Sequence, residues 1–125
     1  MGLEEVQAAY EVALGRLMAD LAKMTKIAPE VRVDFTDPDD CQYTFVHPNG
    51  SSHGTVLMPL EDVEAATVEL AKPFQEDVLE MLWGPAWPPC PAHPHPAEPA
   101  PLDGQAVWRC PTTEVVVAQI GRLGP

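Results

Sequence analysis

Along this chain the spacing of apolar residues switches from helical to alternating and back, so its elements can be read in order. Leu3, Val6, Tyr10, Ala13, Leu14, Leu17, Leu21 and Met24 recur three or four residues apart, which predicts an amphipathic helix over 3–26. Glu4 and Glu5 fall in its expected first turn and Lys23 and Lys26 in its last, where each sign suits the helix dipole. Ala28-Pro29 ends the segment. Strict alternation follows. In VRVDF, Val31, Val33 and Phe35 lie on one face, and in CQYTFVH so do Cys41, Tyr43, Phe45 and His47. Turn residues from Thr36 to Asp40 separate these strands, and Asn49-Gly50 leads through Ser51, Ser52 and Gly54 to a third, TVLM, ended by Pro59.

A second helical stripe, Val63, Ala66, Leu70, Phe74, Val78, Met81 and Leu82, predicts a helix from Glu61 or Asp62 to Trp83. Pro73 lies inside it and is expected to kink or split it, because proline removes a backbone donor. Gly84-Pro85 stops the helix. Eight prolines from Pro85 to Pro101 then exclude helix and central strand. QAVWRC and EVVVAQI read as two strands of a hairpin joined through Thr112 and Thr113, and Gly121 and Gly124 mark an irregular tail. The order predicts an α+β fold with two helices packed on an antiparallel β-sheet, a proline-rich loop and a C-terminal β-hairpin. One domain is expected over 1–125: helix–meander–helix to 83, proline-rich loop over 84–104, hairpin over 105–125. Whether the hairpin joins the first sheet is left open by the pattern.

Composition narrows the partners. A 46% hydrophobic share is that of a folded protein, and no apolar run approaches the roughly 18 residues of a membrane helix. The acidic start, Glu4 and Glu5, is unlike a secretory signal, so a cytoplasmic setting with reduced thiols is expected. A net charge of −12 with only seven basic residues argues against direct nucleic-acid or anionic-membrane binding. Acidity serves solubility, or it offers a docking surface to a basic protein partner or imitates nucleic acid.

Candidate chemistry concentrates between Trp83 and Pro111, where Cys90, His93, His95 and Cys110 are spaced Cys-x2-His-x-His and then fourteen residues before the last cysteine. Thiolates and imidazoles are ligands for zinc, and prolines lower the entropy lost when such a loop closes. Cys90-Pro-Ala-His93 resembles the first knuckle of a zinc ribbon with histidine as its second ligand. Trp108-Arg-Cys110-Pro111 resembles the second knuckle, although Thr113 stands where a fourth ligand belongs. That resemblance, over about a quarter of the chain, implies a closed site only with His95 as the missing ligand. The chain is also similar to small proteins of high-GC actinobacteria in which a proline-rich C-P-x-H…H-P segment precedes W-x-C-P, a likeness that implies no activity.

Blander readings stand beside these. Cysteine is often a small core residue, and histidines in an extended loop can be merely solvated. Cys90 or Cys110 could instead be a nucleophile activated by His93 or His95, yet no third group to orient the imidazole is evident. Glu98 is the nearest acid, in no recognisable catalytic motif. His47 and His53 read as solvated hairpin residues and Cys41 as structural. The pairs Asp39-Asp40 and Glu61-Asp62 read as turn and helix-start residues, able to bind a cation only weakly. Trp83, Trp87 and Trp108 are expected to seal the proline loop against the core, or to form a recognition surface. The function expected is a binding or accessory protein with a structural zinc site and a protein partner. Small metal- or cysteine-dependent enzyme and acidic interaction module are the alternatives.

Overall fold

The computed structural model describes residues 2–37 and 40–124. Its elements are α1 (Leu3–Ala22), β1 (Glu30–Asp37), β2 (Asp40–Val46), β3 (Ser52–Leu57), α2 (Val63–Leu82), β4 (Glu98–Leu102), β5 (Gln105–Arg109) and β6 (Val116–Gln119). The architecture is α+β, with two antiparallel three-stranded sheets in the orders β1-β2-β3 and β4-β5-β6. The last strands therefore form a sheet of their own. Pro38 and Asp39, in the turn expected between β1 and β2, lie outside the described residues.

Helix α1 buries Val6, Ala9, Tyr10, Ala13, Leu17 and Leu21, close to the expected stripe. It stops four residues early. The N–H groups of Lys23 and Met24 reach back only three residues, to the carbonyls of Asp20 and Leu21, and this tightened turn closes the helix. Lys23 becomes the cap, Lys26 falls outside, and the last turn holds no basic residue. Helix α2 starts where Asp62 accepts a bond from Ala65 N at 2.9 Å, and it ends at Trp83 in the left-handed conformation. It is one continuous element through Pro73. Burial of Leu70, Ala71, Phe74 and Val78 on both sides of the proline outweighs its single lost ladder bond.

In the first sheet β2 is central and sends Cys41, Tyr43 and Phe45 inward. Strand β3 is an edge that begins at Ser52, earlier than TVLM suggests, and only Leu57 is buried in it. The proline segment is not loop throughout, because β4 carries Pro99 and Pro101 opposite Trp108 and Ala106 of β5. The two prolines are two residues apart and share one parity. Their nitrogens face the open side, and Glu98, Ala100 and Leu102 keep the donors that an edge strand needs.

Helix α2 packs against both sheets and against α1. The core continues through it as a row of rings: Phe45 lies 6.1 Å from Phe74, Phe74 5.8 Å from Trp87, and Trp87 5.3 Å from Trp108, all edge-on. Each such pair adds about 0.5–1.5 kcal/mol beyond the area it buries. Two carboxylates tie the halves together. Asp20 of α1, fully buried, accepts from Trp108 Nε1 at 2.8 Å, Gly121 N at 2.7 Å and Leu123 N at 3.1 Å. Glu64 of α2 accepts from Ala106 N at 3.0 Å and Arg16 at 2.8 Å, and the Ala106 bond chiefly holds its carboxyl below the usual range. Gly121 has a positive φ of 101°, and a Cβ there would stand 2.9 Å from Arg16 Cγ, so the tail crosses α1 where only glycine fits.

Candidate metal centre

The four residues singled out by spacing converge. Cys90, His93, His95 and Cys110 each offer a ligand atom within 4.8 Å of the others. The convergence follows from the aromatic packing, because Trp87 and Trp108 meet edge-on in the core. Cys90 lies three residues beyond one and Cys110 two beyond the other, so the ring contact brings the two cysteine turns side by side.

Backbone bonds then shape each turn. Ala97 N donates to Pro88 O at 2.8 Å, and Pro89 pairs with Pro96 in an isolated bridge. The six residues 90–95 are thereby closed into a narrow arc that carries three of the four candidate ligands. Within it His93 N donates to Cys90 O at 3.4 Å, the tight knuckle that a two-residue gap predicts. Gln75 of α2 braces the arc from outside, donating to Trp87 O at 3.1 Å and Ala97 O at 2.5 Å. On the other side Glu114 N returns to Cys110 O and Cys110 N donates to Val115 O, each at 2.8 Å.

The donors face one another. His93 Nδ1 lies 3.5 Å from Cys90 Sγ and 3.3 Å from Cys110 Sγ, between the two thiols. The rings of His93 and His95 stack at 4.9 Å, nearly parallel. His95 Nδ1 is 3.1 Å from the Pro96 carbonyl and its Nε2 is 3.2 Å from the Thr112 hydroxyl. An N–H on Nδ1 donated to that carbonyl leaves Nε2 with its lone pair, the usual way an outer partner fixes a ligating tautomer. Both sulfurs are buried and both imidazoles half-buried.

Thr113, at the position where the zinc-ribbon resemblance would put a fourth ligand, serves the sulfur. Its N–H reaches Cys110 Sγ at 3.5 Å. Hydrogen bonding by the Thr113 side chain is the main cause that draws the Cys110 thiol down to about 6; burial opposes it, and the N–H groups of Thr113 and Thr112 add to it. A thiol so placed is a thiolate near neutral pH, the form that binds metal or acts as a nucleophile. Cys41 contrasts with it: burial, with Asp40 and Glu69 nearby, raises its thiol to about 11, and it sits inert in the core. All three cysteines are free thiols, with no disulfide between Cys90 and Cys110.

Other expectations change here. Trp87 and Trp108 are sealed in the core, but Trp83 is 88% exposed because its left-handed cap conformation turns it off the helix face. Glu98 is held by Arg109 Nε at 2.9 Å, directly across the β4–β5 pair, and is not aimed at the thiols. His47 is not a solvated residue; its side chain is nine-tenths buried. Gln75, Thr112 and Thr113 are supports that spacing alone does not reveal. Only the position of Thr113, three residues after Cys110, marked one of them.

No protein-family model, curated protein or solved structure was found to match the chain. Among the described residues no helix is long and apolar enough to cross a membrane.

Proposed function

We propose that this protein is a small metal-binding accessory protein whose C-terminal sheet is fastened by a structural zinc ion on Cys90, His93, His95 and Cys110. The observation that carries the reading is the placement of one imidazole nitrogen 3.3 Å and 3.5 Å from two buried sulfurs. Tetrahedral zinc, about 2.3 Å from sulfur and 2.0–2.1 Å from nitrogen, separates those donors by roughly 3.5 Å. Two sulfurs and two nitrogens suit zinc over magnesium or calcium, which prefer oxygen. Four protein donors complete a tetrahedron and leave no position for substrate, which favours a structural role. The chain's acidity supports action through a protein partner rather than on nucleic acid.

A second reading, a cysteine-dependent enzyme, draws support from the low Cys110 pKa and the adjacent His93. Among the described residues no group orients His93, whose Nδ1 is shared by two thiols. Elemental analysis of untagged protein separates the two readings, followed by cobalt(II) exchange. The structural site predicts one zinc per chain and an intense thiolate-to-cobalt absorption lost in Cys110→Ser. Metal-free protein with a Cys110 that is alkylated far faster than Cys90 would favour the enzyme.

A further inference from the structure

Across α2 from the thiols, a second group of donors meets at the open end of the first sheet. His47, just past β2, Asp77 and Glu80 each offer a ligand atom within 4.8 Å of the others. Asp77 and Glu80 are three residues apart on α2 and so share a face. His47 follows Cys41, Tyr43 and Phe45 in parity, and its ring rests 4.7 Å from Phe45. Sheet and helix thus aim an imidazole and two carboxylates at one spot.

Asp77 is 2% exposed, a depth at which an ionised carboxylate requires hydrogen bonds and positive charge. Tyr43 donates to its Oδ2 at 2.8 Å, and His53 Nδ1 lies 3.2 Å from Oδ1. No lysine or arginine pairs with it among the described residues. His47 Nε2 stands 3.6 Å from Oδ1, too far for a hydrogen bond. That imidazole makes no hydrogen bond among the described residues although its side chain is only 10% exposed. A nitrogen and two carboxylate oxygens therefore surround a space that protein atoms leave unbonded. Beside it opens a cleft of about 360 Å³, lined by His47, Ser51, Glu80 and Trp83 among others, so an ion can enter from solvent.

We infer that His47, Asp77 and Glu80 form a second metal site, which binds a first-row divalent transition cation through one nitrogen and two oxygens. Tyr43 and His53 hold the Asp77 carboxylate in place, as outer partners do for ligating carboxylates. The donor set is harder than that of the thiol centre and admits manganese, iron or cobalt as well as zinc. Three protein ligands leave coordination positions open to water or a small ligand from the cleft. The site stands independently of the thiol centre, whose donors lie beyond α2.

The test is equilibrium dialysis of untagged protein, preloaded with one equivalent of zinc, against cobalt(II). One cobalt per chain is expected, with weak visible bands and no thiolate charge-transfer absorption. His47→Gln and the exposed Glu80→Gln should each weaken that binding at least about tenfold, and His53→Gln less. Glu80→Gln keeps the test sound if His47→Gln disturbs folding. Were the thiols to take no metal, metal-free protein dialysed against cobalt(II) alone would bind its first cobalt without thiolate absorption, which still supports the site. No cobalt beyond the thiol centre, or cobalt binding unchanged in both ligand variants, would overturn it.

Discussion

The two sheets of this protein are built by different means. The first falls in sequence between two helices whose apolar stripes match their own periods, and β2 sends Cys41, Tyr43 and Phe45 inward by its own alternation. The second has short strands, two prolines in its edge and few large aliphatic residues. It is held by particular anchors: Trp108 against Trp87, Asp20 on the indole and the tail, Glu64 on Ala106, and the Cys/His cluster at its rim. Local pattern suffices for the first half, whereas specific long-range bonds decide the second. Damage to an anchor should therefore reach further than damage to any one apolar position.

Asp20→Ala should have the largest effect. It leaves a buried indole N–H and two backbone N–H groups without their acceptor, so a loss of about 3–5 kcal/mol is expected in denaturant unfolding. Asp20→Asn should recover part of it. A loss under about 1 kcal/mol would mean that the second sheet holds itself together.

The tryptophan pair sharpens the contrast. Both rings are fully buried, but Trp108 Nε1 is bonded to Asp20 while Trp87 Nε1 has no partner among the described residues. Trp108→Phe should therefore cost about 2 kcal/mol more than Trp87→Phe, which removes an unpaired donor along with ring contacts. Equal costs would assign the stability to ring packing alone.

Glu64 gives the smallest effect. Its folded pKa lies below 4.5, chiefly through the Ala106 N–H, so its contribution is present above that value. That contribution is lost as pH falls through the folded pKa. Glu64→Gln should lower stability at pH 7 by less than about 1 kcal/mol and flatten the acid limb of a stability–pH curve. A variant with an unchanged acid limb would remove Glu64 from the list of anchors.

Legibility in the sequence followed the same division. The stripes of α1 and α2 and the alternation of β1 and β2 were plain, because burial alone fixes them. The four candidate ligands were legible because soft donors at knuckle spacing are rare in a proline-rich run. β4 was hidden: Pro99 and Pro101 argue against a strand until a partner shows which edge their nitrogens face. Asp20 and Asp77 occupy core positions of their helices, three residues after Leu17 and Phe74. An acid there marks a buried hub, but its partners lie 24 to 103 residues away, and no local rule names them. His47 was in phase with the buried face of β2, yet the nearby Asn-Gly turn made it read as loop.

The central claim is that a metal on Cys90, His93, His95 and Cys110 secures the second sheet while the first stands without it. Amide hydrogen exchange of the native protein, with and without a chelator, tests it element by element. Removal of the metal should speed exchange in β4, β5, β6 and at Cys110 by about tenfold or more, and leave α1, β1 and β2 protected. Cys110→Ser should reproduce that pattern without chelator. Exchange that is unchanged in both sheets, or that rises equally in both, would contradict the account.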